Sequence, residues 1–131
     1  MVGIEGSTTL SERALDNAKA NGLSDKTTFY TRNLFLVTAE HLVELGKFDR
    51  MLIDPPRDGA AALCEALVEL RQTRADLLPQ RLVYVSCSPS TLARDAGILV
   101  GAGYVLDKAG VVNMFPHTSH VESMAVFNLA S

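Results

Sequence analysis

Short β-branched runs alternate along the chain with longer stretches of helical spacing, a pattern that few architectures other than an α/β fold with a largely parallel sheet accommodate. Val2-Gly3-Ile4-Glu5 opens as a strand. Thr9 with Glu12 forms a capping-box pattern, Leu10, Ala14 and Ala18 share a helical stripe, and Asn21-Gly22 supplies the stop. A strand near Thr27 to Thr31, a helix from about Val37 to Leu45 and a strand from Phe48 to Ile53 follow, before Pro55-Pro56 forbids continuation. Leu63, Leu67 and Leu70 mark the next helix, and Arg81 to Ser86 reads as a strand buried on both faces. Ser88-Pro89 reads as a helix start with Ser as cap and Pro at the first helical position, and Gly101 and Gly103 close that helix. Tyr104 to Val112 and Ser123 to Leu129 are two strands with no helix between them, which predicts an antiparallel pair at the end of the sheet.

The 131 residues, 47% hydrophobic and 21% charged, suit one domain with a real core and exclude disorder, collagen and coiled coil. Twelve Lys and Arg against fifteen Asp and Glu give a net charge of −3 with no basic run, so any nucleic acid is held by a few residues or by another part of a longer protein. The apolar runs are too short for a membrane span of about 20 residues. Two cysteines, Cys64 and Cys87, with no leader before them, make no disulfide framework, and a cytoplasmic location is the expectation.

Chemistry-bearing residues fall at three strand ends, where open α/β sheets place their ligands: Glu5, Asp54 and Cys87. Glu5 stands where a nucleotide-binding fold puts the acid that accepts ribose hydroxyls, or is simply a solvated strand-end carboxylate. Asp54-Pro55-Pro56-Arg57 is a stiff loop with an acid and a base at its ends, able to position a planar ligand or merely to turn the chain. Cys87 precedes a helix start, where unpaired N–H groups and the helix dipole favour a thiolate; the bland alternative is an inert cysteine beside an apolar strand. Cys64, in an Ala-rich helical stretch, reads as packing. His117 and His120 lack the further ligands and spacing that zinc requires, so no metal is expected. Glu122, at the head of an apolar strand, is either solvated at an edge or a partly desolvated general base.

Ser86-Cys-Ser-Pro-Ser-Thr-Leu-Ala-Arg-Asp95 followed by Met114-Phe-Pro-His-Thr-Ser-His-Val-Glu-Ser-Met124 resembles the S-adenosylmethionine-dependent RNA uridine-5 methyltransferases, most closely the bacterial 23S rRNA branch. Gly3-Ile-Glu-Gly-Ser7, Asn21-Gly-Leu23 and Asp54-Pro-Pro-Arg57 fit the same family in the same order, so the resemblance covers nearly the whole chain. It implies a Rossmann-like class I methyltransferase sheet that forms 5-methyluridine in rRNA. Cys87 would be the nucleophile that adds to uracil C6, and Glu122 the base that removes the C5 proton. Glu5, Asn33 and Asp54 would contact S-adenosylmethionine, while Arg57 and His117 would shape the uridine pocket. Asn113 stands where the family commonly has Asp, and Ser88 and Ser119 where Asn and Gly are common.

Family members also carry, upstream of the matched region, a Gly-rich strand-loop-helix for the methionine end of the cofactor, an RNA-binding β-barrel, an insert domain and, in some, an iron–sulfur cluster. The resemblance therefore makes this chain a C-terminal catalytic fragment, residues 1–131 of it forming one partial domain that lacks the first strand and helix of the sheet. Weak cofactor binding and negligible turnover by the chain alone are expected. The absent strand would lie between those ending at Glu5 and Asp54, so these two are expected to close on each other, or a second molecule to self-associate across the gap. A non-catalytic nucleotide- or RNA-binding module is the alternative, and a hydrolase using Cys87 with His117 or His120 a remoter one.

Overall fold

A computed structural model describes residues 2–5, 8–23, 28–31, 36–112 and 122–130, grouped in two compact units, residues 1–37 and 38–131. In the first unit, β1 (Val2–Glu5) pairs in parallel with β2 (Thr28–Thr31), and α1 (Thr8–Ala20) connects them. The predicted stop of α1 is a Schellman turn: the Leu23 amide donates to the Ala18 carbonyl at 2.7 Å and the Gly22 amide to Lys19 at 3.2 Å. Gly22 adopts φ +70°, a value that a side chain disfavours and glycine does not.

The second unit holds α2 (Ala39–Leu45), β3 (Arg50–Ile53), α3 (Ala61–Thr73), β4 (Arg81–Ser86), α4 (Pro89–Gly101), β5 (Tyr104–Val112) and β6 (Glu122–Leu129). Its sheet runs β3-β4-β6-β5, with β3 and β4 parallel and β6 antiparallel to both β4 and β5. The antiparallel terminal pair thus takes the predicted form, with the last strand inserted beside β4. Thr38 and His41 close a capping box on α2, the threonine hydroxyl accepting the His41 amide and the imidazole Nδ1 accepting the Thr38 amide. A short 3₁₀ turn at Ala75–Leu77, absent from the sequence reading, links α3 to β4.

The core sits between one face of this sheet and the helices. Leu63, Cys64, Leu67 and Leu70 line the inner stripe of α3 at helical spacing, and Leu82, Tyr84, Ala125 and Phe127 come from the sheet. Burial of a side chain such as Phe127 stabilises the fold by about 1.5–3 kcal/mol. β4 departs from the expected burial on both faces: Leu82, Tyr84 and Ser86 are buried, whereas Val83 and Val85 are only half-buried. They share their face with the exposed Leu52 and Met124, their register partners, while α4 packs against β4.

The strand ending at Glu5 and the strand that leads into Asp54 lie in different compact units. Each belongs to a different sheet, β1 finding its partner in β2 and β3 in β4.

Candidate active site

The parallel register of β3 and β4, with Ile53 opposite Tyr84, brings their carboxyl ends to one edge of the sheet. Asp54 follows β3 directly and Cys87 follows β4 directly, and both are exposed there. Because β6 runs antiparallel to β4, its first residues meet the last ones of β4, and Ser123 lies opposite Ser86. Glu122, one residue before Ser123 on β6, and Cys87, one residue after Ser86 on β4, therefore both lie just beyond this pair at the same end of the ladder. Glu122 is partly buried.

Cys87 owes its setting to Ser86. The buried Ser86 hydroxyl accepts the Ser88 amide at 3.0 Å and donates to the Ser88 carbonyl at 2.8 Å, stapling the chain around residue 87. Both backbone groups of Ser88 are thereby satisfied without water, and the thiol of Cys87 is left on the outside of the bend. Pro89 occupies the first turn of α4 as predicted, and Ser88 holds the N-cap position, but its side chain caps no amide. Its hydroxyl lies 3.0 Å from the Thr91 hydroxyl and 3.3 Å from that of Ser90 instead. The local hydroxyl cluster outcompetes the cap.

Residues 54–60 form a loop with Pro55 buried and Arg57 exposed. Glu5 ends β1 in the first unit. Asn33, His117 and His120, and the family-variant positions 113 and 119, lie outside the described residues. Among the described residues no group of three or more His, Cys, Asp or Glu side chains could hold a metal ion. Among the described residues no helix is long and apolar enough to cross a membrane. An exposed carboxylate at the carboxyl end of a parallel strand suits the hydroxyl- and ammonium-bearing surface of S-adenosylmethionine, so Asp54 fits that cofactor as a hydrogen-bond acceptor.

The sequence reading passed over Asp95, which is fully buried. Its carboxylate accepts the Tyr84 hydroxyl, the Ala60 amide at 2.8 Å and Arg94 Nε at 3.0 Å. A signal was present: Leu92, Asp95 and Leu99 fall at i, i+3 and i+7, which places a charge inside an apolar helical stripe. Burial, followed by the hydrogen bond to Asp95, pushes the Tyr84 hydroxyl above its ordinary range.

The two cysteines differ sharply. Cys64 is wholly inaccessible, and burial, with Asp95 as the next cause, pushes its thiol from 9.0 up to about 12. A thiol whose folded pKa exceeds its unfolded one adds stability that is complete below the unfolded value and is lost as the pH rises toward the folded one. Burial raises Tyr84 and Tyr104 in the same direction. Urea unfolding is therefore expected to show stability declining between pH 9.0 and about 12, less steeply in Cys64→Ala. Iodoacetamide with mass-spectrometric mapping is expected to label Cys87 in the native protein and Cys64 only in denaturant; native labelling of Cys64 would contradict the packing.

Solved structures that resemble the chain are Rossmann-type proteins. A protein of the NADB-Rossmann superfamily from Streptococcus agalactiae superposes with a TM-score of 0.63 at 14% identity, over 98% of this chain and 50% of that one. The N-methyltransferase NodS from Bradyrhizobium japonicum gives 0.66 at 12% identity, over 99% and 73%. At such identities the likeness defines the fold, which is the Rossmann-like fold of methyltransferases. A family model described as tRNA (Uracil-5-)-methyltransferase matches residues 26–129, and the chain belongs to that family. Among curated relatives, the 23S rRNA (uracil(1939)-C(5))-methyltransferase RlmD of Cupriavidus pinatubonensis is 69% identical over 128 residues, 97% of this chain and 28% of the relative. The protein of the same name from Ralstonia pickettii is 66% identical over 131 residues, 97% of this chain and 29% of the relative. The chain thus spans under a third of the length of the curated relatives it matches.

Proposed function

We propose that the chain carries the nucleophile and the base of an RNA uridine-5 methyltransferase acting on 23S rRNA. The observation that supports this most strongly is the β4–β6 register, which brings Cys87 and Glu122 to the same end of one ladder, each a residue beyond the Ser86–Ser123 pair, at the end of the sheet where Asp54 also emerges.

C5 of uracil is a poor nucleophile until C6 is loaded. The Cys87 thiolate adds to C6, forming the C6–S bond and moving the C5–C6 electron pair onto C5 as an enolate. S-adenosylmethionine, when bound, supplies an electrophilic methyl group for that carbon. Glu5, Asn33 and Asp54 are the residues that would hold it. Glu122 then takes the C5 proton; the electrons restore the C5–C6 double bond, the C6–S bond breaks, and the thiolate is regenerated with release of 5-methyluridine. Arg57 and His117 line the uridine side in this reading.

The test is a graft in which this chain replaces the stretch it matches in the Cupriavidus pinatubonensis relative, incubated with S-adenosylmethionine and RNA containing 5-fluorouridine. Fluorine at C5 cannot leave as a cation, so the expected product is an RNA adduct stable to denaturation and mapped to Cys87. A folded graft that binds RNA without forming the adduct would point to a binding module instead, and a hydrolase would give neither.

The 131-residue chain by itself is expected to bind cofactor weakly and to turn over negligibly. Calorimetry with S-adenosylhomocysteine measures this directly: heat near the baseline is expected. Micromolar binding lost in both Glu5→Ala and Asp54→Ala would show that the chain alone forms a cofactor site that needs both residues, and the expectation of weakness would be wrong.

A further inference from the structure

The loop that follows β3 is fastened to α4 at three nearly consecutive backbone groups. The Arg57 carbonyl accepts the Thr91 hydroxyl at 3.0 Å, the Asp58 carbonyl accepts Arg94 Nη2 at 2.8 Å, and the Ala60 amide donates to Asp95 at 2.8 Å. Thr91, Arg94 and Asp95 stand at i, i+3 and i+4, so one face of α4 presents all three partners. Gly59 lies between the fastened groups with φ +87°, and a Cβ there would meet Thr91 Cγ2 at 2.2 Å, Arg94 Nη2 at 2.6 Å and Asp95 Oδ2 at 2.7 Å. Only glycine lets the loop approach the helix this closely. From beneath, the buried Tyr84 of β4 donates to the same carboxylate oxygen of Asp95 that takes the Ala60 amide.

A fully buried carboxylate is an expensive way to secure an exposed loop when apolar packing would hold it to the surface without desolvating a charge. What the polar arrangement adds is direction: each bond fixes one backbone group of the loop relative to α4. That helix begins directly after the Cys87 bend, and Thr91 also lies 3.0 Å from the Ser88 hydroxyl in that bend. The loop that starts at Asp54 and the bend that carries Cys87 are thus referred to one rigid frame.

We infer that Asp95, with Thr91 and Arg94, is a positioning residue that locks the 54–60 loop onto α4 and so holds Asp54 and Arg57 at a set placement relative to Cys87. Its consequence for catalysis holds only if Cys87 is the nucleophile proposed above.

Hydrogen exchange on the 131-residue chain, read by NMR, separates this role from general stability. In Asp95→Ala the amide of Ala60 is expected to exchange about tenfold faster or more, with β4 and β6 amides unchanged. Asp95→Asn, whose amide oxygen can still take both the Tyr84 hydroxyl and the Ala60 amide, is expected to stay within about threefold of the native protein. If Asp95→Ala does not fold, Thr91→Val and Gly59→Ala disturb the same attachment from either side and are expected to open the loop selectively. In the graft, Asp95→Ala is expected to slow adduct formation by about tenfold while iodoacetamide alkylation of Cys87 in the chain is unaffected. Exchange that is unchanged, or that rises equally in β4 and β6, overturns the inference, as does an open loop with an undiminished adduct rate. A native graft that forms no adduct refutes the proposed chemistry, and the locking of the loop is then decided by exchange alone.

Discussion

Cys87→Ala in the grafted protein is expected to abolish methylation and the 5-fluorouridine adduct together, a loss on the order of 10⁴-fold or more. The size follows from the chemistry: without a thiolate at C6 no carbanion character reaches C5, and no neighbouring side chain substitutes for the missing bond. Serine at this position is expected to be no better than alanine, because a hydroxyl is scarcely ionised near neutral pH and is a harder nucleophile than sulfur. The Ser86 hydroxyl staples the backbone of Ser88 and takes no bond from the Cys87 side chain, so the substitution leaves the bend intact. Cys64→Ala serves as the matched control and is expected to keep the adduct. Tritium transfer from labelled S-adenosylmethionine and denaturing gel mobility measure both quantities. Retention of the adduct in Cys87→Ala would remove the nucleophile from this position.

Glu122→Gln is expected to act later and to look different. Addition and methylation proceed, but the C5 proton has no acceptor, so RNA with ordinary uridine remains covalently attached while turnover falls by about 10²–10⁴-fold. The signature is therefore an RNA–protein species that survives denaturation without any fluorinated base. Glu122 opens β6 opposite Val112 of β5 and next to the Ser123–Ser86 pair, and glutamine preserves its shape there. Normal turnover in this variant, or a block before methyl transfer with no trapped RNA, would assign the proton to another group.

Much of this was legible in the residue pattern because strand and helix periods differ. β4 and β5 run over the stretches anticipated, and Pro89 starts α4 where its fixed φ suits a first turn. Three candidate residues, Asp54, Cys87 and Glu122, lie at the same end of one sheet, since chain direction alone puts the ends of parallel strands together with the start of an antiparallel one. What stayed hidden depended on pairing in space. Nothing local says that β6 inserts between β4 and β5, or that the Ser88 hydroxyl pairs with the Thr91 hydroxyl and accepts no helix amide. Asp95 looked like an ordinary helical acid because its three partners come from β4, from Ala60 and from its own neighbour Arg94.

The four-stranded sheet is unequal at its two sides. At β5, the register slips between Leu106 and Lys108, and Asp107 turns to meet Arg81 at 3.5 Å. The slip leaves β5 irregular, and the ion pair spans β6 to tie β5 to β4. At β3 the pairing is regular and Leu52 is 69% exposed. Within these four strands the two flanks thus differ in kind: the ladder is uninterrupted from β3 into β4 and broken by a bulge along β5.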